Sequence, residues 1–172
     1  ENELELAFIA GVSDRLALGG LAAFDTRWHA WGGRRISGGL ELGLIASYQN
    51  EPYPLIRDGF LVPSEVSGAN HRLQLLLAAG HGLRLLRLTV GTHLFVGWTG
   101  LTAHGRLRNA THGIDQVVSG TNSELSFGAM LHARLRLTDA LSLSLRVFLP
   151  VPNFAAGVSS LVSSSLGLSV RL

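Results

Sequence analysis

Apolar and polar positions alternate with a period of two along most of the chain, which predicts strands with one apolar face. The clearest stretch runs from Glu124 to Leu137. Leu125, Phe127, Ala129, Leu131, Ala133, Leu135 and Leu137 share one face, and Glu124, Ser126, Gly128, Met130, His132, Arg134 and Arg136 the other. After Thr138-Asp139 the alternation resumes, with Leu141, Leu143, Leu145, Val147 and Leu149 set against Ser142, Ser144, Arg146 and Phe148, a hairpin with a tight turn. Leu166, Leu168, Val170 and Leu172 alternate with Ser165, Gly167, Ser169 and Arg171 at the end of the chain. Upstream, Leu86, Leu88, Val90, Leu94, Val96 and Trp98 form one face, interrupted by Arg84 and Thr92, and Leu73, Leu75, Leu77 and Ala79 mark the strand before it. Gly80-His81-Gly82 is the expected turn between these two, and its glycines disfavour a helix over 72 to 88. Leu4 to Val12, Leu16 to Trp28 and Ile36 to Tyr48 supply three more strands, with turns at Ser13-Asp14 and Trp31 to Arg34, for a predicted total of eight.

The connections alternate in length. The second, fourth and sixth (Trp31 to Arg34, Gly80 to Gly82, Thr138 to Asp139) are short, whereas Gln49 to Asn70 and Thr99 to Ser123 are long and Pro150 to Gly157 is intermediate. An even number of antiparallel strands with tight turns at one end and long loops at the other is the plan of a transmembrane barrel of the outer membrane, with termini and short turns on the periplasmic side. The expected fold class is therefore all-β, an eight-stranded antiparallel up-and-down transmembrane β-barrel in a single domain over 1–172, with long outer loops at about 49–70 and 99–123.

Composition decides which face meets lipid. Hydrophobic residues make up 47% of the chain and charged residues 15%, with a mean hydropathy of +0.30, whereas soluble domains carry about 25% charge. Disorder is excluded by the same numbers. A helical span is excluded because no apolar run approaches the roughly 20 residues it needs; the longest, Leu16 to Phe24, lies between Arg15 and Asp25. Gly, Ser, Ala and a few charges are too small a polar set to solvate an outer surface, but they suit the narrow interior of an eight-stranded barrel. Trp28 near the periplasmic end of its strand, and Tyr48 and Trp98 near the outer ends of theirs, are the expected interfacial aromatics. All 14 basic residues are Arg, the formal charge is +2, and there is no Cys. The Arg-only usage fits a GC-rich Gram-negative source, no basic run suggests nucleic acid, and neither disulfides nor a thiolate metal site can form. Glu1-Asn2-Glu3 is acidic where a signal peptide begins basic, so an exported chain is met here in its mature form.

On these alternating segments the chain resembles the small eight-stranded outer-membrane barrels of the OmpA, OmpX and OmpW kind. Members of that class usually end in an aromatic residue, and this chain keeps the final alternation but ends in Leu172.

The expected lumen charge network comprises Glu5, Asp25, Arg27, Glu41, Arg72, Arg87, His93, His132, Arg134 and Arg146, with Glu3, His29, Glu124 and Arg136 also inward. Mixed signs imply pairing, since an unpaired buried charge costs several kcal/mol, of order 3–5. Position along the strands puts Asp25, Glu41 and Arg146 in one layer. No catalytic residues are assigned: Ser160 and Ser164 alternate onto the lipid face without a His nearby, and His93 and His132 point inward without a Ser or Asp at a diagnostic spacing. No cofactor motif is present, and no metal site is expected from the singly placed histidines.

The first long loop is unusually apolar, and Tyr53, Leu55, Ile56, Phe60, Leu61 and Val62 are its expected partner-binding residues. The second carries His104, Arg106, Arg108 and His112 beside Asp115, a set suited to lipopolysaccharide phosphates. Asn109-Ala110-Thr111 matches a glycosylation acceptor that has little meaning in a bacterial barrel. The reading that follows is a non-enzymatic scaffold, anchor or recognition subunit of the bacterial outer membrane, its lumen plugged and its partners outer-membrane lipid, lipopolysaccharide and other envelope proteins. A small passive channel is the alternative, and a lipid-modifying enzyme the third reading.

Overall fold

The computed structural model describes residues 1–12, 16–33, 35–59, 62–109, 112–151 and 162–172, with side chains except at 12, 16, 52–59, 62–67 and 118. Among these residues eight strands form: β1 (Asn2–Val12), β2 (Leu16–Gly32), β3 (Ile36–Gly59), β4 (Val62–Leu85), β5 (Leu88–Asn109), β6 (Ile114–Arg136), β7 (Leu141–Pro150) and β8 (Val162–Arg171). Each pairs antiparallel with its successor and β8 returns to β1, closing the barrel. Leu6, for example, lies opposite both Ala22 and Leu168. Closure removes free sheet edges within the ring, the condition for a sheet to exist in hydrocarbon, where no water satisfies a bare amide.

Alternation then sorts the side chains between two environments. Leu6, Leu77, Leu94 and Leu125 stand outward at 66%, 62%, 73% and 65% exposure, whereas Ile9 and Ile45 point inward at 1% and 0%. An outer surface this apolar is compatible with lipid and not with water, so the ring is a membrane-spanning barrel. Trp28 and Trp31 stand outward at the short-turn end, Trp31 stacked on His81. Tyr48 and Trp98 stand outward toward the other end, where the Tyr48 hydroxyl lies 2.6 Å from His71 Nδ1. The register puts Trp28 opposite Leu40 on β3. From there to Tyr48 the strand rises about 27 Å, or about 20 Å at a typical tilt, close to the ~25 Å apolar band of such barrels.

Three expectations are corrected. The turn between β4 and β5 is Leu86-Arg87, not Gly80 to Gly82: β4 continues to Leu85, which pairs with Leu88. Leu86 takes φ of 56° in this two-residue turn, a left-handed conformation that costs an L-residue about 1 kcal/mol. Arg87 is therefore exposed in the turn and does not join the lumen, and Arg84, which interrupts the apolar alternation in the sequence, points inward. Second, most of the described residues of 49–70 and 99–123 are continued strand rather than loop. β3 and β4 stay paired to Gly59 opposite Val62, and β5 and β6 to Asn109 opposite Ile114. Above the lipid the hydrogen-bond ladder persists without demanding an apolar face, so the alternation fades while the strand does not. Third, of the expected layer of Asp25, Glu41 and Arg146, Arg146 pairs with Asp25 whereas Glu41 pairs with Arg27. Asp25 lies opposite Gly43 and Arg27 opposite Glu41, because a bulge between His29 and Trp31 shifts the register of the hairpin.

The result is lopsided. β3 to β6 have 22 to 24 residues each, whereas β1, β7 and β8 have 10 or 11. Four strands thus extend as a sheet well beyond the ring.

Candidate functional site

The lumen is filled in successive layers by the inward positions. At the short-turn mouth the Glu1 carboxylate lies within 4.0 Å of basic groups from five positions: Arg27, His29, Arg84, Arg136 and Arg171. Next comes a buried charged layer. Arg146, 2% exposed, donates to Glu5 through Nε and Nη2 at 3.0 and 2.6 Å, and also to Asp25. Arg134 joins Asp25 at 2.8 Å and Glu3 at 2.7 Å. A second group gathers on Glu41. The Arg27 guanidinium pairs with Oε1, and His93 Nε2 and His132 Nε2 lie 3.2 and 3.3 Å from Oε2. The two imidazoles also face each other, Nδ1 to Nδ1, at 3.3 Å.

Beyond the charges lies an apolar layer of Ile9, Leu21, Ala23, Ile45, Leu76, Ala78, Phe95, Met130 and Phe148. Phe95 and Phe148 meet edge to face at 6.1 Å and 69°. A short polar relay follows: Ser47 donates to Gln74 at 3.2 Å, Gln74 to Thr99 at 3.1 Å, and Thr99 lies 2.6 Å from Ser126. Arg72, half-buried, belongs to this far end, where its electrostatic partners are Glu124 and Glu51.

Glycine makes the charged layer fit. On adjacent strands Glu41 lies opposite Gly80, and Gly80 opposite His93. Because Gly80 has no side chain, Glu41 reaches His93 across an intervening strand; a Cβ there would stand 2.8 Å from the His93 ring. Gly82 clears the Glu41 carboxylate, and Gly91 clears His132. Gly82→Ala would place its Cβ 2.2 Å from Glu41 Oε1. It is expected to cost roughly 1–3 kcal/mol, read as a lowered urea midpoint in lipid vesicles; an unchanged midpoint would show that Glu41 moves freely.

Sequence spacing could not find the His93, His132 and Glu41 group. They come from β5, β6 and β3, and only the pairing register (Gly91 opposite His132, His93 opposite Met130) makes the two histidines diagonal neighbours. Among the described residues it is the group in which three metal-ligating side chains converge, one ligand atom of each within 4.8 Å of the other two.

At the opposite end, the β5–β6 hairpin carries an outward row. His104, Arg106 and Arg108 are exposed on β5, at every second residue on the face that bears Trp98. Arg106 forms a bidentate pair with Asp115 at 2.6 and 2.7 Å, and Arg108 lies 3.8 Å from the same carboxylate. The hydrogen bond from Arg106 holds the Asp115 carboxyl below its ordinary value, so this pair stays ionised into acid. His112 is exposed nearby in the turn. Of the apolar set on the other long hairpin, Tyr53, Leu55 and Ile56 lie on β3 and Val62 begins β4, but their side chains are outside the described residues, as are Phe60 and Leu61 altogether.

No family model and no curated protein sequence matches the chain. Solved structures do. Ail, the attachment invasion locus protein of Yersinia pestis, superposes with a TM-score of 0.51 at 11% identity, over 99% of this chain and 96% of that one. The same protein in complex with the heparin analogue sucrose octasulfate gives 0.50 at 10% identity, over the same shares. Neisserial surface protein A gives 0.44 at 11% identity, over 99% and 96%. At such identities the likeness is one of fold: this chain has the architecture of the small eight-stranded outer-membrane barrels.

Proposed function

We propose that the protein is a non-enzymatic recognition scaffold of the bacterial outer membrane, plugged against flow, that binds sulfated or phosphorylated polyanions through its β5–β6 hairpin. The termini and short turns face the periplasm, which sets the extended sheet of β3 to β6 on the outside. The observation that carries the reading is the exposed row of His104, Arg106 and Arg108, continuing the lipid-facing side of β5 past Trp98 to the level where anionic headgroups and surface glycans begin. Arg's planar fork suits phosphate and sulfate oxygens. That Ail was solved with a heparin analogue supports the same chemistry here. A passive channel is disfavoured by the successive charged and apolar layers that fill the bore, and a lipid-modifying enzyme by the lack, among the described residues, of a serine beside the buried histidines.

The test is binding of the detergent-purified barrel to heparin and to lipopolysaccharide across a salt series. Arg106→Glu/Arg108→Glu is expected to weaken binding at least tenfold and to flatten its salt dependence, because exposed charge attracts through counterion-screened terms. Asp115→Asn is expected to strengthen binding, since it is the one carboxylate in residues 99–123. Loss for heparin alone assigns a glycan, and loss for lipopolysaccharide alone assigns the phosphate-bearing lipid. Unchanged affinity for both in the double variant would overturn the proposal.

A further inference from the structure

The two buried histidines pose a proton-counting problem. His93 Nε2 lies 3.2 Å from Glu41 Oε2, the place of a donor, so in a neutral ring the His93 Nδ1 is a bare acceptor. It faces His132 Nδ1 at 3.3 Å. If His132 carries its proton on Nδ1 it donates to His93, but its Nε2 is then a bare lone pair aimed 3.3 Å from the Glu41 carboxylate. If the proton sits on Nε2, two bare Nδ1 atoms confront each other. Either neutral tautomer leaves acceptor against acceptor in a site from which water is largely excluded, an expensive arrangement. His132 is 7% exposed, and its Nε2 has no hydrogen-bond partner. A cation between His132 Nε2 and Glu41 resolves the conflict.

We propose that this cation is a divalent transition-metal ion, ligated by His132 Nε2 and Glu41 Oε2, with His93 as the residue that positions both. The 3.3 Å separation of the two ligand atoms is the edge of a tetrahedron with bonds of about 2.0 Å, the length of zinc bonds to imidazole and carboxylate. One imidazole and one carboxylate are the donors that borderline ions such as Zn²⁺ and Cu²⁺ accept. His93 acts from outside the coordination sphere: its Nδ1 accepts the His132 Nδ1 proton, fixing the tautomer that frees Nε2, and its own Nε2–H steadies Glu41. Charge favours the ion as well, because the buried layer sets four carboxylates (Glu3, Glu5, Asp25, Glu41) against three guanidiniums (Arg27, Arg134, Arg146). A very small cavity beside Glu41 is lined by Glu1, Glu3, Asp25, Thr26, Arg27 and Arg134 as well.

The experiment uses untagged full-length barrel in detergent, loaded with Zn²⁺, passed over a desalting column and assayed by elemental analysis. Cu²⁺-loaded protein is examined by electron paramagnetic resonance for coupling to imidazole nitrogen. The expected result is about one ion per barrel. His132→Gln and Glu41→Gln should abolish it, and His93→Gln should weaken affinity by about 10- to 100-fold, the usual range for an outer-sphere partner. Heat-modifiable migration on gels reports whether each variant folds. Should those variants fail to fold, Gly91→Ala serves instead: it keeps every ionisable group but sets a Cβ 2.5 Å from His132 Cε1, and should lower occupancy. An exposed-histidine control, His71→Gln/His81→Gln, should leave it unchanged. Wild-type protein that takes up no ion would overturn the proposal and leave a proton as the shared cation, as would a folded His132→Gln variant with full occupancy.

Discussion

Arg146→Ala is expected to lower the stability of the barrel by about 3–5 kcal/mol, the usual cost of removing one partner from a buried ion group. Among the described residues Arg146 is the one side chain that ties Glu5 on β1 and Asp25 on β2 to β7. Its loss strands Glu5, 0% exposed, with no cation in the lumen at hydrogen-bond distance among the described residues, although Asp25 keeps Arg134. With a denaturant slope of about 2 kcal/mol per molar, the urea midpoint in vesicles should fall by roughly 1.5–2.5 M. The penalty belongs to the uncompensated carboxylate rather than to the lost contact. Arg146→Met combined with Glu5→Gln and Asp25→Asn should therefore recover most of the midpoint, as neutral replacements of buried ion groups tend to do. If the triple variant were no more stable than Arg146→Ala, the layer's contribution would lie in packing by the Arg stem, not in charge.

The strands were legible because two solvents read the sequence in opposite senses. Lipid outside demands Leu6, Leu94 or Leu125, a narrow interior demands Gly, Ser or a paired charge, and both demands repeat every second residue. Three features escaped for separate physical reasons. Gly80 and Gly82 read as a turn, yet they are needed where Glu41 and His93 approach through the space their side chains would fill, while the true turn is made by Leu86 in a conformation no turn-forming residue announces. The reach of β3 to β6 beyond the ring was hidden because water imposes no alternation on a strand whose backbone is already paired. The His93, His132 and Glu41 group depends on the pairing register from β3 through β4 and β5 to β6, which spacing along the chain does not encode. The outward row at His104, Arg106 and Arg108 was visible as a charge cluster, but its placement on one strand face was not.

Phe95→Ala/Phe148→Ala should produce the other large effect, and it separates stability from closure. The rings interlock edge to face in the middle of the lumen, and both are nearly fully buried, at 5% and 4% exposure. Each truncation alone should cost about 3–5 kcal/mol from lost transfer energy and the residual cavity. The pair should cost less than the sum, because after the first ring goes the second has already lost its partner. Even so, the double variant is expected to pass no current in planar bilayers. The layer of Glu3, Glu5, Asp25, Arg134 and Arg146 lies nearer the turn end and closes the bore on its own, so ions would meet it after crossing the enlarged cavity. Stable current steps in Phe95→Ala/Phe148→Ala would mean that the aromatic layer is the barrier and the charged layer is permeable. In that case the plugged scaffold would be a channel held shut by two rings.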